Sequence, residues 1–136
     1  MAFLNWSDEF DVGVAAIDEE HKQLLAIINR FYDGMSTGAS EQTLYSIFNE
    51  LLDRTKAHFE HEEEYFATTQ FPLAAEHEKL HENLTSQIAT LQQNDIGKND
   101  TARPLGLTYF LKSWLLDHIQ NDDKKLGAHL NKLGIW

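Results

Sequence analysis

Residues 58–64 read HFEHEEE, and the way this stretch lies on a helix decides the fold of the chain around it. Successive residues of an ideal helix turn by about 100°. His58 and Glu62 stand four apart, so they project from one face a turn apart. That face continues an apolar stripe of Leu44, Phe48, Leu51, Leu52, Thr55, Phe59 and Phe66. Glu60, Glu63 and Glu64 fall about 100° or more away from it and belong to water. His61 lies about 60° from the stripe centre, at the surface or just behind a ligand layer. The charged run is therefore two edges of one helix, and one edge carries a histidine and a carboxylate into the core.

The same 3.6-residue period recurs on both sides, and sustained strand alternation does not occur. Upstream, Ile17, His21, Leu24, Leu25, Ile28, Phe31, Tyr32 and Met35 share a face, and GMSTG (34–38) stops the helix. Ser40 is an N-cap for the helix that holds 58–64. Phe71-Pro72 breaks that helix, and Pro72 suits the first turn of the next. The third stripe is Leu73, His77, Leu80, His81, Leu84, Ile88 and Leu91. NDIGKND (94–100) reads as a loop. Pro104 opens the fourth helix, with Leu107, Leu111, Trp114, Leu115 and His118 on one face.

These periods predict helices over about 17–36, 41–67, 72–93 and 104–122, with a short helical piece over about 126–133. Residues 1–16 read as an extended arm whose Phe3, Leu4, Trp6, Phe10 and Val12 pack along the bundle. The expected fold is all-α: one domain over 1–136, an antiparallel up-down-up-down four-helix bundle.

Each of the four stripes carries a histidine: His21, His58, His77 with His81, and His118. One stripe histidine is more often a hydrogen-bonded core residue than a ligand. Five are a different matter. Left unpaired, each would cost about 1 to 3 kcal/mol, against a total stability of about 5 to 15 kcal/mol. A shared metal removes that cost, because neutral imidazole nitrogens become ligands. The buried Glu62 needs a partner or a metal for the same reason. In an antiparallel bundle all five histidines and Glu62 fall at one end, the end of the 67–72 turn. His61 and His129 are not needed, and His129 is expected to be exposed.

Composition limits the chemistry. The chain has no cysteine, so thiolate ligands and cysteine nucleophiles are out. Its formal net charge is -11, from 22 acidic and 11 basic residues, which disfavours nucleic acid and anionic lipid as partners. No apolar run reaches membrane-span length and no signal segment opens the chain, so a cytoplasmic protein is expected. Five imidazoles with carboxylates exceed one tetrahedral zinc. They suit two first-row ions bridged by carboxylates, with iron, manganese, cobalt and zinc all allowed by donor type.

Taken together, WSDEFDVGV (6–14) with IDEEHKQL (17–24), HFEHEE (58–63), FP (71–72) with HEKLH (77–81), and HIQNDD (118–123) resemble the motifs of the hemerythrin family, most closely its single-domain bacterial members. The similarity spans essentially the whole chain. Each motif alone is weak, but all four in order are specific. The resemblance implies a non-haem di-iron centre with an oxo or hydroxo bridge. His77, His81 and His118 would hold one iron, His21 and His58 the other, with a position left open, and Glu62 and Asp123 would bridge. One position divides the two lines of reasoning. Ideal-helix geometry keeps Asp122 on the His118 face and turns Asp123 about 140° away, whereas the family spacing selects Asp123. They agree only if the helix loosens there, as a π-bulge does; Asp123 is the expected bridge.

The implied function is reversible O2 binding for storage, delivery or sensing, without enzymatic turnover. The alternative is a di-iron enzyme acting on peroxide or nitric oxide, or iron storage. Leu24, Phe59, Trp114, Leu115 and Ile119 stand within a turn of ligands and match family positions that line a dry O2 pocket, though all five also suit plain core. A monomer is expected, with a redox or oxygenase partner left unidentified.

Overall fold

A computed structural model describes residues 3–95 and 102–136, with side chains described over 3–90 and 108–136. It is all-helical, with no strand among the described residues. Helix α1 spans Ala15–Ser36, α2 Glu41–Thr69, α3 Ala74–Asp95 and α4 Ala102–Asp117. A π-helical segment, His118–Asp123, leads without interruption into α5, Lys124–Lys132. Helix α1 packs on α2 and α4, and α3 packs on α2 and α4, which closes the up-down-up-down bundle. The 94–100 loop falls largely outside the described residues, as do the side chains of Leu91 and Leu107.

The stripes on α1 and α2 form the core. Ile17, Leu24, Leu25, Ile28, Phe31, Leu44, Phe48, Leu51 and Phe66 are all buried. At the α2 N-terminus the Ser40 hydroxyl accepts from the Thr43 amide at 3.1 Å, satisfying one of the free first-turn donors. At its C-terminus Gln70 adopts a left-handed φ of 54°, a conformation more natural to glycine. His129 Nε2 lies 3.1 Å from both the carbonyl and the hydroxyl oxygen of Thr69. It is thus half-buried and ties α5 to the end of α2, contrary to the exposed position expected of it.

Three other expectations shift. Helix α3 starts at Ala74, and Pro72 sits in the preceding turn. Leu73 and Leu80 are exposed, at 36% and 43%. His77, His81, Leu84 and Ile88 set the buried face, and Leu80, one residue from His81, is turned about 100° off it. The expected C-terminal helix is present as α5 and starts at Lys124, earlier than expected, because the π segment carries the chain straight into it from α4.

The N-terminal arm is anchored at both ends. Asn29 donates to the Leu4 carbonyl at 2.8 Å and accepts from the Leu4 amide at 2.7 Å. Phe3 stacks on Tyr32 at 4.2 Å between centroids. The Val12 amide donates to Asp18 Oδ1 at 2.8 Å. Where the arm crosses α5, Gly127 leaves room for Val12: a Cβ there would stand 2.0 Å from the Val12 carbonyl oxygen.

Candidate metal centre

The bundle brings His21 from α1, His58 and Glu62 from α2, His77 and His81 from α3, and His118 and Asp123 from the π segment to one buried locus. None of the seven is more than 4% exposed. The π segment decides the last position. Its wider turn returns the residue five after His118 to the interior, so Asp123 is fully buried while Asp122 stays at the edge.

Asp123 Oδ2 lies 2.8 Å from His21 Nε2, and Asp123 Oδ1 lies 2.9 Å from His77 Nε2 and 3.1 Å from His118 Nε2. Glu62 Oε1 lies 2.8 Å from His58 Nε2 and 3.8 Å from His81 Nε2. Its other oxygen is 3.7 Å from His77 Nε2. Close as they are, these atoms are misaligned for hydrogen bonding. Nε2 of all five histidines and both oxygens of Glu62 and Asp123 are buried without a hydrogen-bond partner among the described residues. Such an accumulation is costly in a folded core. Clustered donor atoms without hydrogen-bond partners are the arrangement a cation satisfies.

Two overlapping donor groups result. One comprises Glu62, His77, His81, His118 and Asp123; the other His21, His58, Glu62 and Asp123. Within each, the ligand atoms lie within 4.8 Å of one another, and the two carboxylates belong to both. Two cations sharing two carboxylates fit this set, and its purely N/O character suits first-row ions.

Without a cation, protons must do the same work. Burial disfavours the charged His58 ring, but the Glu62 carboxylate and the bond to Glu20 outweigh it and raise His58 to about 10. Burial likewise opposes His118, which Asp123 and Asp122 raise to about 10. Burial and the neighbouring charges of His77 and His118 push His81 down to about 2. Burial and the Asp123 charge raise Glu62 to about 8. Burial alone would raise Asp123 too, but His118, His21 and His77 hold it well below the usual carboxylate range. The metal-free centre is thus a mosaic of protonated and deprotonated groups in one dry volume, which bound cations would replace.

Two carboxylates stand behind the donors: Asp122, which helix geometry already placed on the His118 face, and Glu20, which sequence reasoning missed. Glu20 Oε1 lies 2.6 Å from His58 Nδ1, and Asp122 Oδ2 lies 3.1 Å from His118 Nδ1. Each ring directs its Nε2 inward. Glu20 stands about 100° around α1 from His21, off the apolar stripe; its contact lies across the α1–α2 interface, where periodicity gives no signal.

The apolar flank is largely buried. Leu24, Phe59, Leu115 and Ile119 are 4% exposed or less, and Trp114 is half-buried. Phe59 stacks on His81 with centroids 3.7 Å apart and planes 4° from parallel. Trp114 stacks on His118 at 5.1 Å. Leu24, Trp114 and Leu115, with Ile28, Leu51, Thr55, Ile88 and Leu111, line an apolar cavity of about 10 Å³. Phe59 and Ile119 do not line it.

The hemerythrin HHE cation-binding domain matches residues 12–130. A bacteriohemerythrin of Stenotrophomonas maltophilia (strain R551-3) is 28% identical over 136 residues, 97% of this chain and 87% of its own length. A bacteriohemerythrin of Pseudomonas aeruginosa (strain LESB58) is 31% identical over 124 residues, 90% of this chain and 78% of its own. The crystal structure of a wild-type hemerythrin superposes with a TM-score of 0.83 at 26% identity, covering 95% of this chain and 98% of that one. The family implies O2 binding at a di-iron site, and the histidine–carboxylate cluster fits a metal site. On sequence and fold together, the chain belongs to the hemerythrin family.

Proposed function

We propose that this chain binds O2 reversibly at two irons joined by an oxo or hydroxo bridge. His77, His81 and His118 hold one iron, and His21 and His58 the other, which keeps a position open. Glu62 and Asp123 bridge them. The observation that carries this reading is the pair of donor groups sharing Glu62 and Asp123, with every Nε2 and carboxylate oxygen lacking a hydrogen-bond partner. When bound, the two irons supply the electrons that O2 uptake takes and its release returns.

The protein's part is positioning and exclusion of water. Glu62 and Asp123 fix the spacing of the two sites. Glu20 and Asp122 accept from Nδ1 of His58 and His118 and leave Nε2 free as the donor. Leu24, Phe59, Trp114, Leu115 and Ile119 would keep water, and with it a source of protons, away from the open side. The reading is of an oxygen carrier rather than an enzyme, monomeric and cytoplasmic, with neither nucleic acid nor membrane as partner. No helix among the described residues is long and apolar enough to cross a membrane.

The test is anaerobic reconstitution followed by metal analysis and O2 uptake. Two irons per chain and one O2 taken up per iron pair, released again under vacuum, support the reading. Consumption of O2 with continuous release of peroxide or water would replace it with an oxidase.

A further inference from the structure

His61, outside both donor groups, makes a contact that the centre needs. Its Nδ1 lies 2.7 Å from Glu20 Oε2, while the other oxygen of the same carboxylate faces His58 Nδ1 at 2.6 Å. His58 and His61 are three apart on α2, so they are neighbours on its surface. One carboxylate from α1 spans both rings. An ionised carboxylate only accepts, so each ring presents its Nδ1–H to Glu20.

We propose that His61 is a positioning residue that, through Glu20, fixes where the His58 ring points and holds its Nδ1–H in place. This inference rests on the di-iron reading and deepens it at the iron with the open position. Of that iron's two histidines, His58 is the one backed by a carboxylate among the described residues; His21 Nδ1 is buried with no hydrogen-bond partner among them. The orientation of the open iron's ligands therefore leans on Glu20.

Glu20 is not held by burial. Its side chain is 29% exposed, and that of His61 is 33% exposed. A cleft of about 90 Å³, lined by Glu20, Gln23, Leu24, Arg54, Ala57 and His58, opens beside it. That cleft is roomy enough to admit water, which would compete for the carboxylate. A glutamate bound through one oxygen could swing toward this water; bound through both, it has one geometry. His61 is itself braced by the Tyr65 ring one turn on, 5.0 Å between centroids. The chain Tyr65–His61–Glu20–His58 thus runs from the surface of α2 to the donor layer.

The test compares His61→Ala and His61→Asn with wild type. An asparagine amide nitrogen sits close to where Nδ1 stood and can donate to Glu20. In metal-free and zinc-loaded protein labelled with 15N-histidine, the exchange of the His58 Nδ1 proton with water is measured by NMR. In iron-loaded protein, loss of iron to a chelator is followed. His61→Ala should speed proton exchange about 10-fold by freeing the clamp, and iron loss by about 10-fold. His61→Asn should restore both toward wild type. If His61→Ala folds, and only its melting temperature changes while both rates match wild type, His61 is a plain surface residue and the proposal is overturned. Wild-type protein that takes up no iron would sink the di-iron reading, and the metal-free exchange comparison would still decide the clamp.

Discussion

Asp123 Oδ2 stands 2.8 Å from His21 Nε2, linking the first helix to the π turn that follows the fourth. That contact exists because the π turn moves the inward position from the fourth to the fifth residue after His118. Asp123→Ala should abolish stable iron retention. Asp122→Ala, which removes only a partner behind His118, should keep both irons with an affinity lowered about 10-fold. Metal analysis after gel filtration separates the two; iron held by the Asp123 variant and lost by the Asp122 variant would reverse the assignment.

The Phe59 ring lies flat on His81 and is 4% exposed. Phe59→Ala should cost about 3 to 5 kcal/mol of stability by leaving a cavity. It should also admit water beside the donors and shorten the lifetime of the O2 adduct. Urea titration and the decay of the oxygenated spectrum measure the two effects. A full loss of stability with an unchanged lifetime would make Phe59 core alone.

The metal-free protein should lose stability in two pH windows. His58 and His118 are raised from 6.5 to about 10 in the fold. Between those values these two groups bind more protons in the native state than in the unfolded chain, so their contribution is full below about 6.5 and is lost as pH rises toward 10. Glu62, raised from 4.5 to about 8, adds to the decline on the alkaline side, whereas His81, lowered from 6.5 to about 2, opposes stability as pH falls below 6.5. Asp123 is lowered, so its contribution is present above the ordinary carboxylate range and is lost as pH falls below it. Metal replaces the histidine protons, so the loaded protein should lack the alkaline decline. Thermal melts across pH, with and without metal, read this directly; matching alkaline profiles would contradict it.

Gly127 faces the Val12 carbonyl so closely that any side chain must push the arm away. Gly127→Ala should destabilise by about 1 to 3 kcal/mol and expose the Val12 amide to hydrogen exchange. Val12 protection equal to wild type would show that the arm does not depend on this crossing.

Legibility in the sequence followed the range of each interaction. The α1 and α2 stripes, with His21, His58 and Glu62 in them, were readable because periodicity is local. The choice of Asp123 was not readable from ideal geometry, because one residue's worth of π turn changes the face, and only resemblance to a family selected it. His129 and Thr69 meet across 60 positions, and Glu20 meets His58 across 38. No period in a single helix reports such a contact, so Glu20 drew no reading at all and His61 stayed open between the surface and a place just behind the ligands. Leu80 misled for a smaller reason: beside His81 in sequence, it lies a quarter-turn off the donor face.

The central claim is that two irons held by His21, His58, Glu62, His77, His81, His118 and Asp123 bind O2 reversibly. Its most direct test is the optical spectrum of the anaerobically reduced, iron-loaded protein before and after O2. The account predicts a nearly colourless reduced form, an intense charge-transfer band on adding O2, and return of the first spectrum when O2 is removed. A spectrum that does not respond to O2, or a band that survives O2 removal unchanged, would contradict it.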